Sequence, residues 1–246
     1  MNLGVVINFC TNEKRFINAC INSVSRIAKQ IVVPVSDHFF DGEPEDLDLV
    51  KRIANENPDA EFIVYNAQNQ YQPRPGIYSR ALGASKLRSE IDWVLFLDCD
   101  EIVDTDIFSL YLEKGEWKNY DTIALSNYWY FRDPTIRAKT LETSAVLIRR
   151  EFVKIDPADQ SGDRQQVHQY VKGRQVRSVT HEDQIMIHHF SWVRNKDEML
   201  KKVISWGHKG ERDWVSSVEE EFSRPFNGTC FVNDYTFDIV ENKFNL

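Results

Sequence analysis

Residues 91–101 read Ile-Asp-Trp-Val-Leu-Phe-Leu-Asp-Cys-Asp-Glu, an apolar run that ends on acidic residues. A run of this length predicts a buried β-strand whose carboxyl end lies at a polar edge of the sheet. Because side chains alternate along a strand, Asp98 and Asp100 should share one face and Cys99 the other. Two adjacent carboxylates suit a divalent cation such as Mg²⁺ or Mn²⁺. The alternative is that these acids only solvate the strand end and favour a helix start near Asp104.

The chain before this strand alternates between apolar strands and amphipathic helices. Strands are predicted over residues 3–9, 31–35 and 61–65, and helices from residue 12, from residue 43 and over 76–90. This alternation implies right-handed crossovers and a mostly parallel sheet that helices cover on both faces. In such sheets ligands bind at the carboxyl ends of the strands, which is where Asp98 and Asp100 lie.

The pattern changes after residue 101. The predicted elements there are a short helix (104–114), two antiparallel strands (121–131 and 144–149), a further strand (184–190) and two helices (196–206 and 214–222). The polar stretch 156–175 predicts a mobile loop. No linker, internal repeat or low-complexity segment interrupts the chain, so we expect one compact α/β unit.

The composition excludes some classes of partner. The 246 residues are 42% hydrophobic and 28% charged with a formal net charge of −8, which is ordinary for a soluble globular protein. An acidic chain lacks the basic face that nucleic acid or an anionic membrane would require. The four cysteines form no C-x-x-C pair, so we expect reduced thiols and a cytoplasmic location. We also expect no signal peptide and no transmembrane segment, because the first residues lack a basic region and no apolar run could span a bilayer.

Several short motifs stand in order along the chain. They are Val-Val-Ile-Asn-Phe-Cys-Thr-Asn-Glu with a later Cys-Ile-Asn-Ser-Val (within 5–24), Val-Ser-Asp (35–37), Tyr-Ser-Arg-Ala-Leu-Gly (78–83), Leu-Phe-Leu-Asp-Cys-Asp-Glu (95–101) and His-His-Phe-Ser-Trp (188–192). In this order they resemble the GT-A class of nucleotide-sugar glycosyltransferases, close to family 2. The resemblance covers about residues 1–105 well, thins through the middle and returns at His188. It departs from the family's Ala-Arg-Asn-x-Gly pattern because no Asn follows Arg80.

The resemblance implies a fold and a reaction. The fold is α/β of the GT-A (Rossmann-like) type, with a mostly parallel central sheet flanked by helices, antiparallel additions and a helical C-terminal part. One glycosyltransferase domain would span residues 1–246, with the nucleotide-sugar-binding half in 1–105 and the acceptor-binding half and C-terminal helices in 106–246. The implied reaction is metal-dependent transfer of a sugar from a nucleoside-diphosphate sugar, UDP-linked in preference, to a glycan or other hydroxyl acceptor.

The resemblance also implies site residues. The metal, Mn²⁺ or Mg²⁺, would be held by Asp98, Asp100 and His189, with Glu101 assisting and His188 as the competitor of His189. A cation there would offset the charge that builds on the leaving diphosphate. The donor would be bound by Thr11, Glu13, Asp37, Arg80 and Asp98. Arg80 could either meet the diphosphate or brace an Asp, since a guanidinium suits both.

An inverting transfer needs a carboxylate near the acceptor hydroxyl, whereas a retaining transfer does not. Residues 181–183, His-Glu-Asp, resemble the family's Glu-Asp pair, which makes Asp183 the candidate base and Glu182 its partner. Glu142 and Asp133 are rivals. Trp129 and Trp192 could stack on acceptor sugars, although aromatic residues at such spacings more often belong to the core.

Two other functions remain open from the sequence. A nucleotidyltransferase would share the first half of the fold, but it would normally carry a glycine-rich loop after the first strand. The turn here is Cys-Thr-Asn-Glu at residues 10–13, without a glycine. A non-catalytic module that binds a nucleotide sugar or a glycan would keep the fold and lose turnover.

Overall fold

The computed structural model describes residues 1–39, 41–66, 75–153, 168, 171–206 and 209–246. The strands in these ranges are β1 (Leu3–Asn8), β2 (Gln30–Ser36), β3 (Ala60–Tyr65), β4 (Trp93–Asp98), β5 (Glu101–Val103), β6 (Thr122–Phe131), β7 (Asp133–Arg149), β8 (Gln175–Val179), β9 (Ile187–Trp192) and β10 (Phe237–Ile239). The helices are α1 (Lys14–Ser25), α2 (Leu47–Glu56), α3 (Pro75–Ser85), α4 (Thr105–Lys114), α5 (Lys196–Ser205) and α6 (Trp214–Phe222).

These strands form one mixed sheet. Its order is β3-β2-β1-β4-β7-β6-β9-β5, with β10 beside β7 and β8 beside β6. The first four strands of this order are parallel, and β1 pairs with β4 along its whole length, so that Asn8 lies opposite Asp98. The apolar side chains of β1 and β4 are almost completely buried, as expected for strands that helices cover on both faces. The predicted α/β fold is confirmed.

A glycine allows α3 to approach the sheet closely. A Cβ added at Gly83 would lie 2.4 Å from Cγ1 of Val6 on β1, a distance that would force the helix away. Because α3 can therefore lie close to β1, Arg80, one turn earlier on this helix, reaches the carboxyl end of the neighbouring strand β4.

The antiparallel additions carry the second half of the chain back to the Asp-x-Asp segment. Strand β7 pairs antiparallel with β4, and β6 and β7 form a long hairpin interrupted by register shifts. Strand β9 lies between β6 and β5, with His189 opposite both Glu101 and Trp129. This placement brings His189, which is distant in sequence, beside Asp100.

Several predicted boundaries differ from the structure. Strand β7 begins at Asp133 instead of residue 144, and three other differences have a local cause. The second helix begins at Leu47 instead of residue 43, because the side chain of Asp46 caps it by accepting a hydrogen bond from the backbone N–H of Leu49. The third helix ends at Ser85 instead of residue 90, and the hydroxyl of Ser85 donates to the carbonyl of Leu82.

The third difference concerns the start of β9. It begins at Ile187 instead of residue 184, because residues 181–184 form a tight turn with positive φ at Glu182 and Asp183. The mobile loop predicted over 156–175 lies outside the described residues, apart from His168 and residues 171–175.

The aromatic residues of the second half belong mainly to the core. Trp129 and Trp192 are buried in a cluster with side chains of α5, α6 and the C-terminal segment, so the core interpretation holds for both. All four cysteines are free thiols, and burial raises the pKa of Cys10 to about 12. Among the helices of the described ranges, none combines the length and the apolar character needed to cross a bilayer.

Candidate functional site

Asp98 lies at the carboxyl end of β4 and is held by Arg80. A guanidinium nitrogen of Arg80 donates to Oδ1 of Asp98 at 2.6 Å, and the arginine itself is buried. The backbone N–H of Asp98 donates to Oε2 of Glu101 at 2.9 Å, so the Glu101 carboxylate turns back towards the strand end. Of the two roles predicted for Arg80, the structure shows the one that braces an Asp.

Asp100 lies in a turn rather than on the strand. Strand β4 ends at Asp98, and a two-residue turn precedes β5, so the predicted alternation of faces does not extend to Asp100. The Asp100 carboxylate is buried and faces two cationic side chains. Its Oδ1 is 3.5 Å from Nε2 of His189, and its Oδ2 is 3.9 Å from Nζ of Lys202. The two acids of the motif therefore have separate sets of partners.

The two adjacent histidines have different environments. His188 points into the core, where its Nδ1 is 2.8 Å from the hydroxyl of Tyr130, and burial lowers its pKa to about 4. It is therefore neutral at neutral pH. His189 points to the site, with its Nδ1 3.9 Å from Oε2 of Glu142. Of the two rivals, the structure places His189 beside Asp100.

Burial and charge act in opposite directions on His189 and Asp100. Burial disfavours the imidazolium, but the carboxylates of Asp100 and Glu142 outweigh it and raise the pKa of His189 to about 10. Burial also disfavours the ionised carboxyl of Asp100, but His189, Lys202 and Arg194 hold its pKa well below the usual range. Both groups are therefore charged at neutral pH and form a buried ion pair.

Glu13 is the centre of an ion cluster that the sequence did not predict. Its carboxylate accepts a hydrogen bond from the guanidinium of Arg194, which is only 1% exposed, and its Oε1 lies 3.3 Å from Nζ of Lys202. Lys202 follows Met199 by three residues and so lies on the same, buried face of α5. A lysine on the apolar face of a predicted helix is a sequence signal from which a functional role for Lys202 could have been predicted. Glu13 was expected to contact the donor directly, and in the structure it joins α1 to α5.

Thr11 and Asp37 lie near the carboxyl ends of β1 and β2, as expected. The hydroxyl and the backbone N–H of Thr11 both donate to the buried carboxylate of Glu45, a residue that the sequence did not identify. Asp37 lies with one carboxylate oxygen 2.8 Å from Nδ1 of His38. Thr11 thus organises the loop between β2 and α2, and Asp37 remains a half-buried acid at the sheet edge.

The candidate bases lie in different parts of the fold. Glu142, on β7, stands beside His189, and its Oε1 accepts a hydrogen bond from the hydroxyl of Tyr235 at 3.1 Å. Asp133 is the first residue of β7, where its carboxylate accepts hydrogen bonds from the backbone N–H and the hydroxyl of Thr135.

The Glu182–Asp183 pair does not reach the site. Glu182 lies 3.4 Å from Lys114, the last residue of α4. Both residues are exposed and have the positive φ angles of a tight turn. The structure therefore places the Glu-Asp dipeptide in an exposed turn beside α4 rather than beside Asp100 and His189.

The side chains present partly fit a metal ion. Oδ1 of Asp100 is buried and lacks a hydrogen-bond partner among the described residues, and the nearby imidazole of His189 could ligate the same ion once it has released its proton. Within the described ranges, no three His, Cys, Asp or Glu side chains converge as a complete metal centre. A hard cation at Asp100 and His189 would therefore take further ligands from water or phosphate, as Mg²⁺ commonly does. The Asp98 carboxylate is occupied by Arg80.

Comparisons with known proteins bear on the fold. No protein-family model matches the chain, and no curated protein matches it. Among solved structures, S. aureus TarS 1-349 aligns with a TM-score of 0.51 and 13% identity over 91% of this chain and 73% of that one. Its complex with UDP-GlcNAc aligns with a TM-score of 0.50 and 12% identity, over 83% of this chain and 66% of that one. Its complex with UDP aligns with a TM-score of 0.50 and 13% identity, over 91% of this chain and 72% of that one.

The chain covers 43% of the longer TarS structure. At 12–13% identity such likeness speaks to the fold alone. The parallel half-sheet flanked by helices agrees with this likeness. The fold of this chain is GT-A.

Proposed function

We propose that this chain is a glycosyltransferase that moves a sugar from a nucleoside-diphosphate sugar, UDP-linked in preference, to a glycan or other hydroxyl acceptor. The observation that carries the proposal is the pairing of Asp100 with His189 at the carboxyl edge of a GT-A sheet. The complexes of S. aureus TarS with UDP-GlcNAc and with UDP support a nucleotide sugar as the donor. The free cysteines favour a reducing compartment, and we propose the cytoplasm.

The two halves of the chain would have different roles. Residues 1–105 would bind the donor, with Asp37 and Glu13 near the nucleoside and Arg80 holding Asp98 in place. Residues 106–246 would bind the acceptor. Asp100 and His189 would hold Mn²⁺ or Mg²⁺, which when bound offsets the negative charge that develops on the leaving diphosphate. Because the Asp100 carboxylate is buried, its attraction for a cation would be little screened by water, and His189 would release its proton as it became a ligand.

Glu142 is the best-placed general base among the described residues. Its side chain is 25% exposed, so an acceptor could reach it, and it is adjacent to His189. The hydrogen bond from Tyr235 occupies one carboxylate oxygen and fixes the orientation of the other. In an inverting transfer, that oxygen would remove the proton of the attacking acceptor hydroxyl.

The replacement Glu142→Gln is expected to lower kcat by about 10²–10⁴-fold, because an amide of the same shape cannot take up the proton. Donor affinity should stay near the wild-type value, since Glu142 would not contact the donor. Transfer rates and nucleotide-sugar titration of the purified variant would check both. The control is Asp183→Asn, which should leave kcat within about twofold of the wild-type value. If Asp183→Asn lowered kcat strongly and Glu142→Gln did not, Asp183 would be the general base instead.

The proposed function is tested by the thermal stability of the wild-type protein with a panel of nucleotide sugars, each with and without Mn²⁺. A ligand that binds only the folded state at 100 times its Kd adds about 2.7 kcal/mol to the free energy of unfolding. We expect a UDP-sugar to give the largest rise in melting temperature, and Mn²⁺ to increase that rise. We also expect the protein to release UDP slowly from that donor. A shift without any release of UDP, even with acceptors present, would instead support the binding-module alternative. No shift with any donor would contradict the proposal.

A further inference from the structure

Lys202 is a largely buried cation with no role in the function proposed above. Its side chain is 11% exposed, and its ammonium lies 3.3 Å from Oε1 of Glu13 and 3.9 Å from Oδ2 of Asp100. Burying a lysine is unfavourable unless its charge is compensated, and here two carboxylates from different segments compensate it. The ammonium contacts the carboxylate oxygen of Asp100 that does not face His189.

The position of Lys202 is fixed by the helix that carries it. Helix α5 begins with a complete capping box, in which Asn195 and Glu198 exchange hydrogen bonds between side chain and backbone. Arg194, next to the cap, donates to the carbonyl of Asn12 and to Glu13, so the start of α5 is tied to the turn after β1. Lys202 is therefore held at the carboxyl edge of the parallel sheet, where ligands bind in open α/β sheets.

The ions around Lys202 suggest a role beyond neutralising Glu13. Arg194 already pairs with Glu13, and His189 already pairs with Asp100. Lys202 therefore adds a positive charge to two acids that each have another cationic partner. An ammonium is a compact charge with three donors, and a bound phosphate oxygen could replace either of its weak carboxylate contacts.

We propose that Lys202 binds the diphosphate of the donor beside Asp100 and gives the chain an affinity for nucleoside diphosphates that does not require a divalent cation. The inference rests on the proposed function and adds a residue to it. The ammonium would contact the leaving diphosphate and would stabilise its increasing negative charge during transfer.

The test is the binding of UDP and of uridine in the presence of EDTA, measured by ligand-observed NMR titration. Wild-type protein should bind UDP under these conditions, and Lys202→Met should weaken UDP binding by about tenfold or more, as loss of a charge-assisted contact predicts. Uridine, which lacks phosphate, should bind both proteins equally. Lys202→Arg should retain most of the UDP affinity, because it keeps the charge.

The matched control is Lys201→Met, which removes the same charge from the neighbouring, exposed position of α5 and should leave UDP binding unchanged. Lys202→Met should still fold, since Glu13 keeps Arg194 and Asp100 keeps His189. Equal weakening of UDP and uridine would overturn the inference, because it would indicate a purely structural lysine. Unchanged UDP binding by Lys202→Met, or wild-type binding only with Mn²⁺, would also overturn it while leaving the proposed function intact. If the wild type bound no nucleotide or nucleotide sugar even with Mn²⁺, the proposed function would itself fail.

Discussion

Asp100→Asn is expected to lower kcat by about 10²–10³-fold, the range found when one preorganised electrostatic group is removed from an active site. The amide keeps the shape of the side chain but loses the charge that would hold a cation. It also leaves His189 and Lys202 close together without the acid that lies between them. Transfer rates, together with the Mn²⁺-dependent part of the donor-induced thermal shift, would check this result.

The same substitution should also destabilise the fold. Removing one partner of a buried ion pair costs about 3–5 kcal/mol, and here the loss is reduced because His189 can release its proton. The carboxylates beside His189 raise its pKa in the folded protein to about 10, whereas in the unfolded chain the pKa of a histidine is near 6.5. Their attraction for the imidazolium therefore stabilises the folded state most fully below about pH 6.5. This contribution is lost as the pH rises through about 10, so the stability difference between variant and wild type should narrow over that window.

Asp106→Asn is the matched control for Asp100→Asn. Asp106 also pairs with a cation, Arg26, at 2.8 Å, but its side chain is 87% exposed. Removing a pair of this kind should change the free energy of unfolding by no more than about 1 kcal/mol, and should not affect kcat. Equal effects of the two substitutions in urea unfolding and in transfer assays would contradict a special role for Asp100.

Arg194→Met is expected to lower the free energy of unfolding by about 3–5 kcal/mol, because it leaves the Glu13 carboxylate in a buried site with one weaker cationic partner. It also removes the donors that satisfy the carbonyl groups of Ser191 and Asn12. Urea unfolding of the variant would measure the loss. Since Arg194 joins the turn after β1 to the start of α5, the variant should also bind UDP more weakly.

Arg26→Met controls for the removal of an arginine. Its guanidinium forms an exposed pair, so the cost should be about 1 kcal/mol or less. Glu13→Gln, combined with Arg194→Met in a double-mutant cycle, would measure the coupling between the two side chains. A coupling near zero would show that the arginine acts only through its packing and its backbone contacts.

The elements of the first half could be predicted because the signals are local. The apolar runs of β1 to β4 lie within about one or two residues of their predicted positions, and β1, β2 and β4 are buried strands, which need continuous apolar sequence. The boundaries that were missed depend on side-chain hydrogen bonds, such as the cap that Asp46 supplies to α2. A capping hydrogen bond and one further turn of helix differ little in free energy, so the sequence pattern does not decide where such a helix begins or ends.

The site was only partly predictable. The acids at the end of a buried strand indicated Asp100, a family resemblance indicated His189, and the structure brings the two together. The Glu-Asp dipeptide at residues 182–183 resembled a catalytic motif, yet the structure places it in an exposed turn beside Lys114. Glu142 carries no motif at all, and it meets His189 because β6 lies between their two strands and sets the register of both.

The sequence by itself determined which segments are buried strands and that acids stand at the carboxyl end of β4, because burial and alternation act over a few neighbouring residues. Only the tertiary structure decided which charges meet there. Asp98 is paired with Arg80, Asp100 with His189 and Lys202, and Glu13 with Arg194. These pairs join residues from about 20 to more than 180 positions apart, and their geometry depends on sheet order and helix docking, which no local pattern contains.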